Sequence, residues 1–379
     1  MALILVIDDD FATQVLLKRS LEKQGYEIIV ANNGKEGIAK ALETNPALII
    51  CDWIMPYLSG LEVCRQLKAM SQLSTTFFIL LTSLDSVEAR IEGLDAGSDD
   101  FLCKPIQMSE LEARVRSGLR LHQLSRDLQQ QKQLLEAELS EAADYVTSIL
   151  PEPMQHSDLS IDTRFIPSRK LGGDSYDYFW LDEKHLVFYL LDVAGHGLRA
   201  SLPSLSVINL LRSRNLKDAD YYQPSSVISS LNQAFQIDDR NDKYFTMWYG
   251  VYNRQNRQLV YSSAGHPPGI LLGNPRKKPI SDQRLKTVGV PVGMFPNAEY
   301  IDSALTVEKG SSLYVFSDGI YEIEQENGSF WGLEKFVTVL QKYQQTSERD
   351  LDRLLQFVRN WHPRFQFEDD LSILQIDFH

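Results

Sequence analysis

The first 120 residues alternate short apolar runs with amphipathic stretches of helical spacing. The apolar runs include ILVID, ALIICD, FFILLTS and DFLCKP, and stretches such as TQVLLKRSLEKQ and LEVCRQLKAM lie between them. Strands that alternate with helices are joined by right-handed crossovers. The pattern therefore predicts a doubly wound α/β domain, in which helices cover both faces of a parallel sheet.

Polar side chains follow four of these predicted strands. Ligands of such sheets bind beyond the carboxyl ends of the strands, so we expect these side chains to converge at one edge. Carboxylates there can hold Mg2+, a hydroxyl and an ammonium can contact phosphoryl oxygens, and one carboxylate can attack phosphorus. The nucleophile is predicted to be Asp52. The residues are Asp8, Asp9 and Asp10 after the first strand, Asp52 after the third, Thr82 after the fourth and Lys104 after the fifth.

Four motifs make this segment resemble the receiver domains of two-component response regulators, which have a flavodoxin-like fold. They are the acidic pair Asp8-Asp9, CDWIMPYLSG around Asp52, LTS around Thr82 and CKP around Lys104. The resemblance implies that Asp8, Asp9 and Asp52 bind Mg2+ and that a sensor histidine kinase phosphorylates Asp52. It further implies that Thr82 is the switch hydroxyl, that Lys104 contacts the phosphate, and that the bond before Pro105 is cis.

A single long helix is predicted between residues 106 and 150. Pro151 and Pro153 end it. Its seam follows three-four spacing, which suits a parallel coiled coil and hence a homodimer; a single amphipathic helix packed on a domain is the alternative. We therefore predict a receiver domain over 1–120, a coiled-coil linker over 121–150 and an output domain over 151–379. The seam residues are Leu121, Leu124, Leu128, Gln131, Leu135, Glu138, Ala142, Tyr145 and Ile149.

The output region has a different pattern. Runs such as HLVFYLLDVAG, SSLYVFSDGIYEIE and LSILQIDFH predict strands joined by turns, whereas LPSLSVINLLRSR and LDRLLQFVRNW predict helices. Strands that pair with near neighbours and segregated helices are typical of an α+β fold, so we expect a β-sandwich flanked by helices.

Four acidic turns interrupt this region at predicted strand ends. They contain Asp174 in GGDSYD, Asp192 in LLDVAGHG, Asp318 in FSDG and Asp369 in FEDDLSIL. Each alone is an ordinary turn residue, but burying four carboxylates together without cations is costly. Oxygen ligands suit hard cations such as Mg2+ or Mn2+, so the set predicts a two-metal hydrolase site.

At these turns the chain resembles the SpoIIE/RsbU-type branch of the metal-dependent PP2C serine/threonine phosphatases. The motifs GGDSYD, DVAGHG, SSAGHPPGILL, FSDGIYE and EDDLSIL follow the order of that family. The resemblance implies that Asp192 bridges two Mn2+ or Mg2+ ions, helped by the Val193 carbonyl. Asp318 and Asp369 would complete one metal and Asp174 the other. Asp369 is preferred over Asp370, and the pair leaves that choice open. The implied substrate is a phosphoserine or phosphothreonine protein, a STAS-domain anti-sigma-factor antagonist.

Composition and motifs narrow the possible functions of the chain. The net charge of −13 disfavours nucleic-acid binding, and the three cysteines form no CxxC pair, which favours a reducing cytoplasm. No membrane partner is expected. The GGD string lacks the rest of a diguanylate cyclase motif, and no basic recognition helix supports a DNA-binding regulator. A catalytically silent phosphatase-like binding module, controlled by the receiver, is the remaining competitor.

Overall fold

The computed structural model describes residues 2–83, 87–168, 170–237, 243–275, 282–324, 331–346, 350–360 and 369–379. The chain divides into two compact units, residues 1–137 and residues 138–379. Each unit has its own hydrophobic core.

Strands and helices alternate through the first unit, as the sequence pattern predicts. The elements are β1 (Leu3–Ile7), α1 (Phe11–Lys23), β2 (Glu27–Ala31), α2 (Gly34–Thr44), β3 (Leu48–Asp52), α3 (Gly60–Lys68), β4 (Phe77–Thr82), α4 (Val87–Asp95), β5 (Asp100–Cys103) and α5 (Met108–Ile149).

The five strands form a parallel sheet in the order β2-β1-β3-β4-β5. Side chains of β3 and β4 are buried throughout because helices cover both faces of the sheet. Leu17 and Val115 belong to the core on one face, and Leu61 and Leu67 to the core on the other. This confirms the doubly wound, flavodoxin-like prediction. The Lys104–Pro105 bond is cis, also as predicted.

Helix α5 runs without interruption for 42 residues. Leu111 and Val115 near its start are fully buried, whereas the seam residues Leu124 and Leu128 are 59% and 69% exposed in the single chain. The long helix is therefore confirmed, and its pairing in a coiled coil stays a prediction.

The second unit is built mainly from antiparallel strands. After α5, its elements are β6 (Met154–Gln155), β7 (Leu159–Ile166), β8 (Ser175–Trp180), β9 (His185–Val193), α6 (Leu198–Arg212), α7 (Pro224–Ala234), β10 (Phe245–Asn253), β11 (Gln258–Ala264), β12 (Gly269–Leu272), β13 (Asp282–Leu285), β14 (Ser303–Thr306), β15 (Ser312–Phe316), the 3-10 turn η1 (Asp318–Ile320), α8 (Leu333–Tyr343), α9 (Leu351–Arg359) and β16 (Leu371–Phe378).

Two sheets face each other in this unit. One has the order β14-β11-β10-β9-β8 and the other β13-β12-β15-β16-β7-β6. Their inner side chains, among them Phe188, Trp248 and Leu374, form one core between the sheets. Helices α6 and α7 cover the first sheet, and α8 and α9 cover the second. The predicted β-sandwich flanked by helices is confirmed.

Within the described ranges, no helix combines the length and the apolar character that crossing a membrane requires.

Candidate functional site

The strand ends of the first unit bring the predicted residues together. Asp8 follows β1, and Asp52 and Thr82 are the last residues of β3 and β4. The Lys104 ammonium lies 2.7 Å from Asp52 Oδ1 and 3.4 Å from Asp8 Oδ2. Oxygens of Asp8, Asp9 and Asp52 all lie within 4.8 Å of one another. The predicted convergence is present, and this oxygen cluster suits Mg2+.

Burial and charge act against each other within this cluster. Asp8 is fully buried, and this desolvation raises its pKa although Lys104 and the Asp10 backbone partly offset it. Burial alone would lower the pKa of Lys104, but its hydrogen bond to Asp52 and the charges of Asp52 and Asp8 raise it. A lysine held cationic beside Asp52 is suited to contact phosphoryl oxygens.

Asp10 has a different role from its two neighbours. Its carboxylate accepts hydrogen bonds from the backbone N–H groups of Ala12 and Thr13, at 3.2 and 3.1 Å, and caps the start of α1. The Asp10 carboxylate is therefore engaged in capping α1.

The four acidic turns of the second unit come from both sheets. Asp174 immediately precedes β8, and Asp192 is the last residue but one of β9. Asp318 begins η1 just after β15, and Asp369 lies two residues before β16. Each sheet of the sandwich thus contributes two of the four acids.

Burial and mutual repulsion raise the pKa values of three of these acids. Burial raises the pKa of Asp192, and the charges of Asp318, Asp369 and Asp370 raise it further. Burial likewise raises the pKa of Asp174 well above its ordinary value, with Asp192 adding to the effect. For Asp318, burial and the charges of Glu322 and Asp369 raise the pKa to about 6. These carboxylates therefore resist ionisation unless a cation compensates them.

Asp174 gives the most direct indication of what the site binds. Its side chain is 1% exposed, and among the described residues neither carboxylate oxygen has a partner in good hydrogen-bond geometry. The hydroxyls of Ser317 and Ser372 lower its pKa, but burial and the charge of Asp192 outweigh them. Burying a carboxylate without adequate partners costs free energy, and a bound divalent cation would supply the missing interaction. The donor set of carboxylates and the Val193 carbonyl fits Mg2+ or Mn2+.

The second cluster is more open than the first. Among the residues that the structure describes, only Asp8, Asp9 and Asp52 form a set of possible ligands closing within 4.8 Å. Two-metal sites hold their ions about 3.5–4 Å apart, so ligands of different ions are spaced more widely than ligands of one ion. The wider spacing of the second cluster is compatible with two cations.

Glycines allow the acidic turns to approach one another. A Cβ on Gly173 would lie 2.4 Å from the Val193 carbonyl oxygen, and one on Gly319 would lie 2.2 Å from the Asp370 carbonyl oxygen. Any larger residue would push the turns apart. This explains the glycine that precedes Asp174 and the glycine that follows Asp318.

Asp369 and Asp370 differ sharply in environment. Asp369 is exposed, whereas Asp370 is 2% exposed and accepts hydrogen bonds from Ser168 and from the backbone of Gly173. Asp370 was not among the predicted ligands. The DD doublet is the only sequence signal for it, and it does not distinguish the two roles.

The two histidines near the site also differ. His196 is exposed in the turn after Asp192. His266 is fully buried, its Nδ1 lies 2.7 Å from the Thr246 hydroxyl, and burial lowers its pKa to about 3. Thr246 faces Asp192 in the pairing of β10 with β9. A neutral, buried His266 supports the strands behind the acids and is unsuited to donating a proton to substrate.

An ion pair joins the end of α5 to the site-bearing strands. Arg212 at the end of α6 lies 2.6 Å from the Asp177 carboxylate of β8, and it also donates to the Ile149 carbonyl over 2.7 Å. Asp177 is 1% exposed, so this pair is buried on its acidic side.

Comparison with known families identifies both parts of the chain. The profile of the family described as Stage II sporulation protein E (SpoIIE) matches residues 182–379, and that of the response regulator receiver domain matches residues 4–116. The chain belongs to the SpoIIE family and is a response regulator receiver fused to a SpoIIE-type PP2C domain. Such a domain implies dependence on a divalent metal and a phosphoprotein substrate, and the receiver implies a phosphodonor such as a kinase. Asp192, Asp318 and Asp369 lie inside the SpoIIE match, and Asp174 precedes it.

Individual relatives cover parts of the chain. "Response regulator MprA" of Mycobacterium ulcerans (strain Agy99) is 41% identical over 159 residues, which are 42% of this chain and 60% of that protein. "Response regulator MprA" of Mycobacterium leprae (strain TN) is 44% identical over 117 residues, 31% of this chain and 50% of that protein. The chain thus spans about half the length of these curated relatives. The SiaA-PP2C domain of Pseudomonas aeruginosa has the same fold, with a TM-score of 0.56 at 18% identity over 65% of this chain and 98% of that one.

The raised pKa values predict how the metal-free protein responds to pH. Asp318 has an ordinary pKa of 3.8 and a folded-state pKa of about 6, so the unfolded chain ionises first as the pH rises. The stability that Asp318 contributes is therefore greatest at a pH below its pKa in the unfolded chain. It is lost as the pH rises through its pKa in the folded chain. In EDTA we expect the second unit to lose stability between pH 5 and pH 8, with Asp318 alone contributing on the order of 1 kcal/mol.

Thermal melting followed by tryptophan fluorescence measures this, since four of the five tryptophans lie in the second unit. Asp318→Asn should reduce the loss, and Glu183→Gln, at an exposed position, should leave it unchanged. A melting temperature that rises from pH 5 to pH 8 in EDTA would contradict the prediction.

Proposed function

We propose that this chain is a response regulator whose output is metal-dependent hydrolysis of phosphoserine or phosphothreonine in a protein. The observation that carries the proposal is Asp174, a buried carboxylate with two unpartnered oxygens beside Asp192. A cation-free role for such a group is energetically unfavourable. The SpoIIE-family membership supports the choice of reaction.

The proposed site holds two Mn2+ or Mg2+ ions, which would supply a water of lowered pKa and offset charge on the phosphoryl oxygens. Asp192 would bridge them, assisted by the Val193 carbonyl. Asp318 and Asp369 would complete the ligand set of one metal ion, and Asp174 would complete that of the other. The strand pairings hold these groups rigidly, so the acids need not be gathered when substrate arrives.

Substrate would be bound at the surface formed by these turns. Asp369 and His196 are exposed there, so a phosphoryl group carried by another protein can reach the site. Water attacks phosphorus, the bond to the serine or threonine oxygen breaks, and that oxygen takes a proton as phosphate leaves. By analogy with the family, we propose a STAS-domain anti-sigma-factor antagonist as the substrate, in the cytoplasm, where the free thiols of the chain stay reduced.

In the receiver, we propose that Asp52 attacks the phosphoryl group of a phosphohistidine on a sensor kinase. The phosphorus–nitrogen bond breaks and an acyl phosphate forms at Asp52. Asp8, Asp9 and Asp52 would hold Mg2+, Lys104 would contact the transferred oxygens, and Thr82 would act as the switch hydroxyl. The 2.7 Å contact between Lys104 and Asp52 supports this arrangement.

We further propose that residues 1–120, 121–150 and 151–379 act as receiver, linker and phosphatase. Exposed leucines along α5 support a homodimer formed through the linker, since two such seams would bury each other. Phosphorylation of Asp52 would alter the pairing or twist of the coil and thereby adjust the phosphatase.

Catalysis is tested by phosphate release from a phosphoserine protein in Mn2+ or Mg2+. Asp192→Ala should reduce release by at least about a thousandfold, because it removes the ligand shared by both metals. EDTA should abolish release. Glu183→Ala, an exposed acid on the same unit, serves as the matched control and should retain full activity. No metal-dependent release from any phosphoprotein would favour the alternative of a silent phosphatase-like binding module.

Control by the receiver is tested with acetyl phosphate as a small phosphodonor. Turnover by the wild-type chain should change upon treatment, and Asp52→Asn should abolish that change because no acyl phosphate can form. Asp10→Asn is the matched control, since asparagine still caps α1 while the acidic cluster loses one charge. Equal rates and equal oligomeric states of wild type and Asp52→Asn, with and without phosphodonor, would refute receiver control.

Dimerisation is tested by sedimentation equilibrium. Replacing both Leu124 and Leu128 with glutamate should weaken the dimer at least about a hundredfold, because each leucine loses about 1.5–3 kcal/mol of apolar burial. The control changes Gln129 and Gln130 to glutamate, off the seam of the same helix. A wild-type chain that stays monomeric at high concentration, or a seam variant that stays dimeric, would rule out the coiled coil.

A further inference from the structure

Asp370 has an environment unlike that of the four predicted ligands. Its carboxylate is 2% exposed and accepts three hydrogen bonds. Oδ1 accepts from the backbone N–H of Ser168 at 2.8 Å and from the Ser168 hydroxyl at 3.0 Å. Oδ2 accepts from the backbone N–H of Gly173 at 2.6 Å. Among the described residues, Ser168 and Gly173 thus fill three of about four acceptor positions on this carboxylate.

The same residue also contacts a second acidic turn through its backbone. The Ser317 hydroxyl donates to the Asp370 carbonyl over 3.2 Å. Gly319 approaches that carbonyl so closely that a Cβ there would lie 2.2 Å from the oxygen. Asp370 therefore joins the turn that precedes Asp174 to the turn that contains Asp318.

Neighbouring Asp369 makes none of these connections. Its side chain is exposed, and the hydrogen bond found for it is the one that it accepts from the Asp370 backbone N–H at 2.8 Å. Among the described residues, the Asp369 carboxylate thus keeps acceptor positions open for a cation, whereas the Asp370 carboxylate is committed to the protein.

We propose that Asp370 is a positioning residue that fixes the turn carrying Asp174 and thereby sets the affinity of the metal position that Asp174 serves. The inference rests on the two-metal site proposed above. Hydrogen bonds to a charged acceptor are short and strong. The one that the Gly173 N–H donates to Asp370 over 2.6 Å lies one residue from Asp174. Asp370 thus acts on the cation through Asp174, without being required as a ligand.

Asparagine at position 370 would preserve the shape of the side chain but replace one of its two acceptor oxygens with a donor. An amide has one oxygen and one NH2 group, whereas backbone N–H donors approach both carboxylate oxygens. Either orientation of the amide would place NH2 against the N–H of Ser168 or of Gly173. The segment 168–174 should therefore loosen even without metal.

Hydrogen exchange of the metal-free, full-length chain tests the positioning directly. In EDTA, Asp370→Asn should speed exchange across residues 170–175, while exchange in the central strand β10 stays at the wild-type rate. Asp369→Asn, the matched change at the adjacent position, should leave both rates unchanged. Unaltered exchange at 170–175 in Asp370→Asn would overturn the proposal.

Calorimetric titration with Mn2+ tests the consequence for the metals. Every chain in this series carries Asp9→Asn, which removes the receiver cluster from the titration. Asp370→Asn should weaken one of the two remaining sites by about 10–100-fold and leave the other within threefold. Asp369→Asn should weaken the other site. Parallel weakening of both sites by Asp370→Asn would show a merely structural role and overturn the proposal.

Ser168→Ala separates positioning from direct ligation and serves where Asp370→Asn fails to fold. It removes one hydrogen bond to Asp370 and leaves every proposed ligand intact. We expect faster exchange at 170–175 and about a tenfold loss at the same Mn2+ site, the lower end of the effect of one hydrogen bond to a charged group. No change in either readout would overturn the proposal. A parent chain that binds no Mn2+ in the second unit would instead refute the proposed function, and the exchange data would still report on Asp370.

Discussion

The second unit is constrained by repulsion among its carboxylates, which are crowded together away from water. Strand pairing brings Asp174 and Asp192 from one sheet toward Asp318 and Asp369 from the other. Burial and mutual charge raise the pKa values of the first three. The apolar strands behind each turn supply the favourable burial that holds the acids in place. The fold thus holds the acids together before any cation binds, at a cost in stability.

The receiver meets a related problem with a different solution. There Asp8 and Asp52 lie beside the Lys104 ammonium, which balances part of their charge within the chain itself. In the second unit, the hydroxyls of Ser317 and Ser372 offset the raised pKa of Asp174 only in part, and neither of its oxygens has a partner in good hydrogen-bond geometry among the described residues. The receiver cluster is therefore partly neutralised without metal, whereas the phosphatase cluster relies on metal.

Much of this arrangement could be predicted because strand ends are visible in the sequence. Apolar runs located β1, β3 and β4, and the polar residue after each run was enough to place Asp8, Asp52 and Thr82 at one edge. The acidic turns were found in the same way. The role of Asp370 could not be found, because its donors, Ser168 and Gly173, lie 202 and 197 residues away in the chain. Whether an acidic doublet binds a cation or backbone N–H groups depends on such distant contacts, which local pattern does not encode.

Coupling between linker and site follows from a short path inside the second unit. Strand β8 begins immediately after Asp174, and Asp177 of that strand holds Arg212, which in turn donates to the Ile149 carbonyl at the end of α5. Asp174 and Asp177 are three residues apart, about 10 Å along an extended strand. A rotation of the helix end would have to break the Arg212 contact to Ile149 or move β8 with it. Because Asp177 is buried and its charge is paired with Arg212, a shift of Arg212 that keeps this pair carries β8 with it. The turn that carries Asp174 therefore lies one hydrogen bond, one ion pair and three residues from the end of α5.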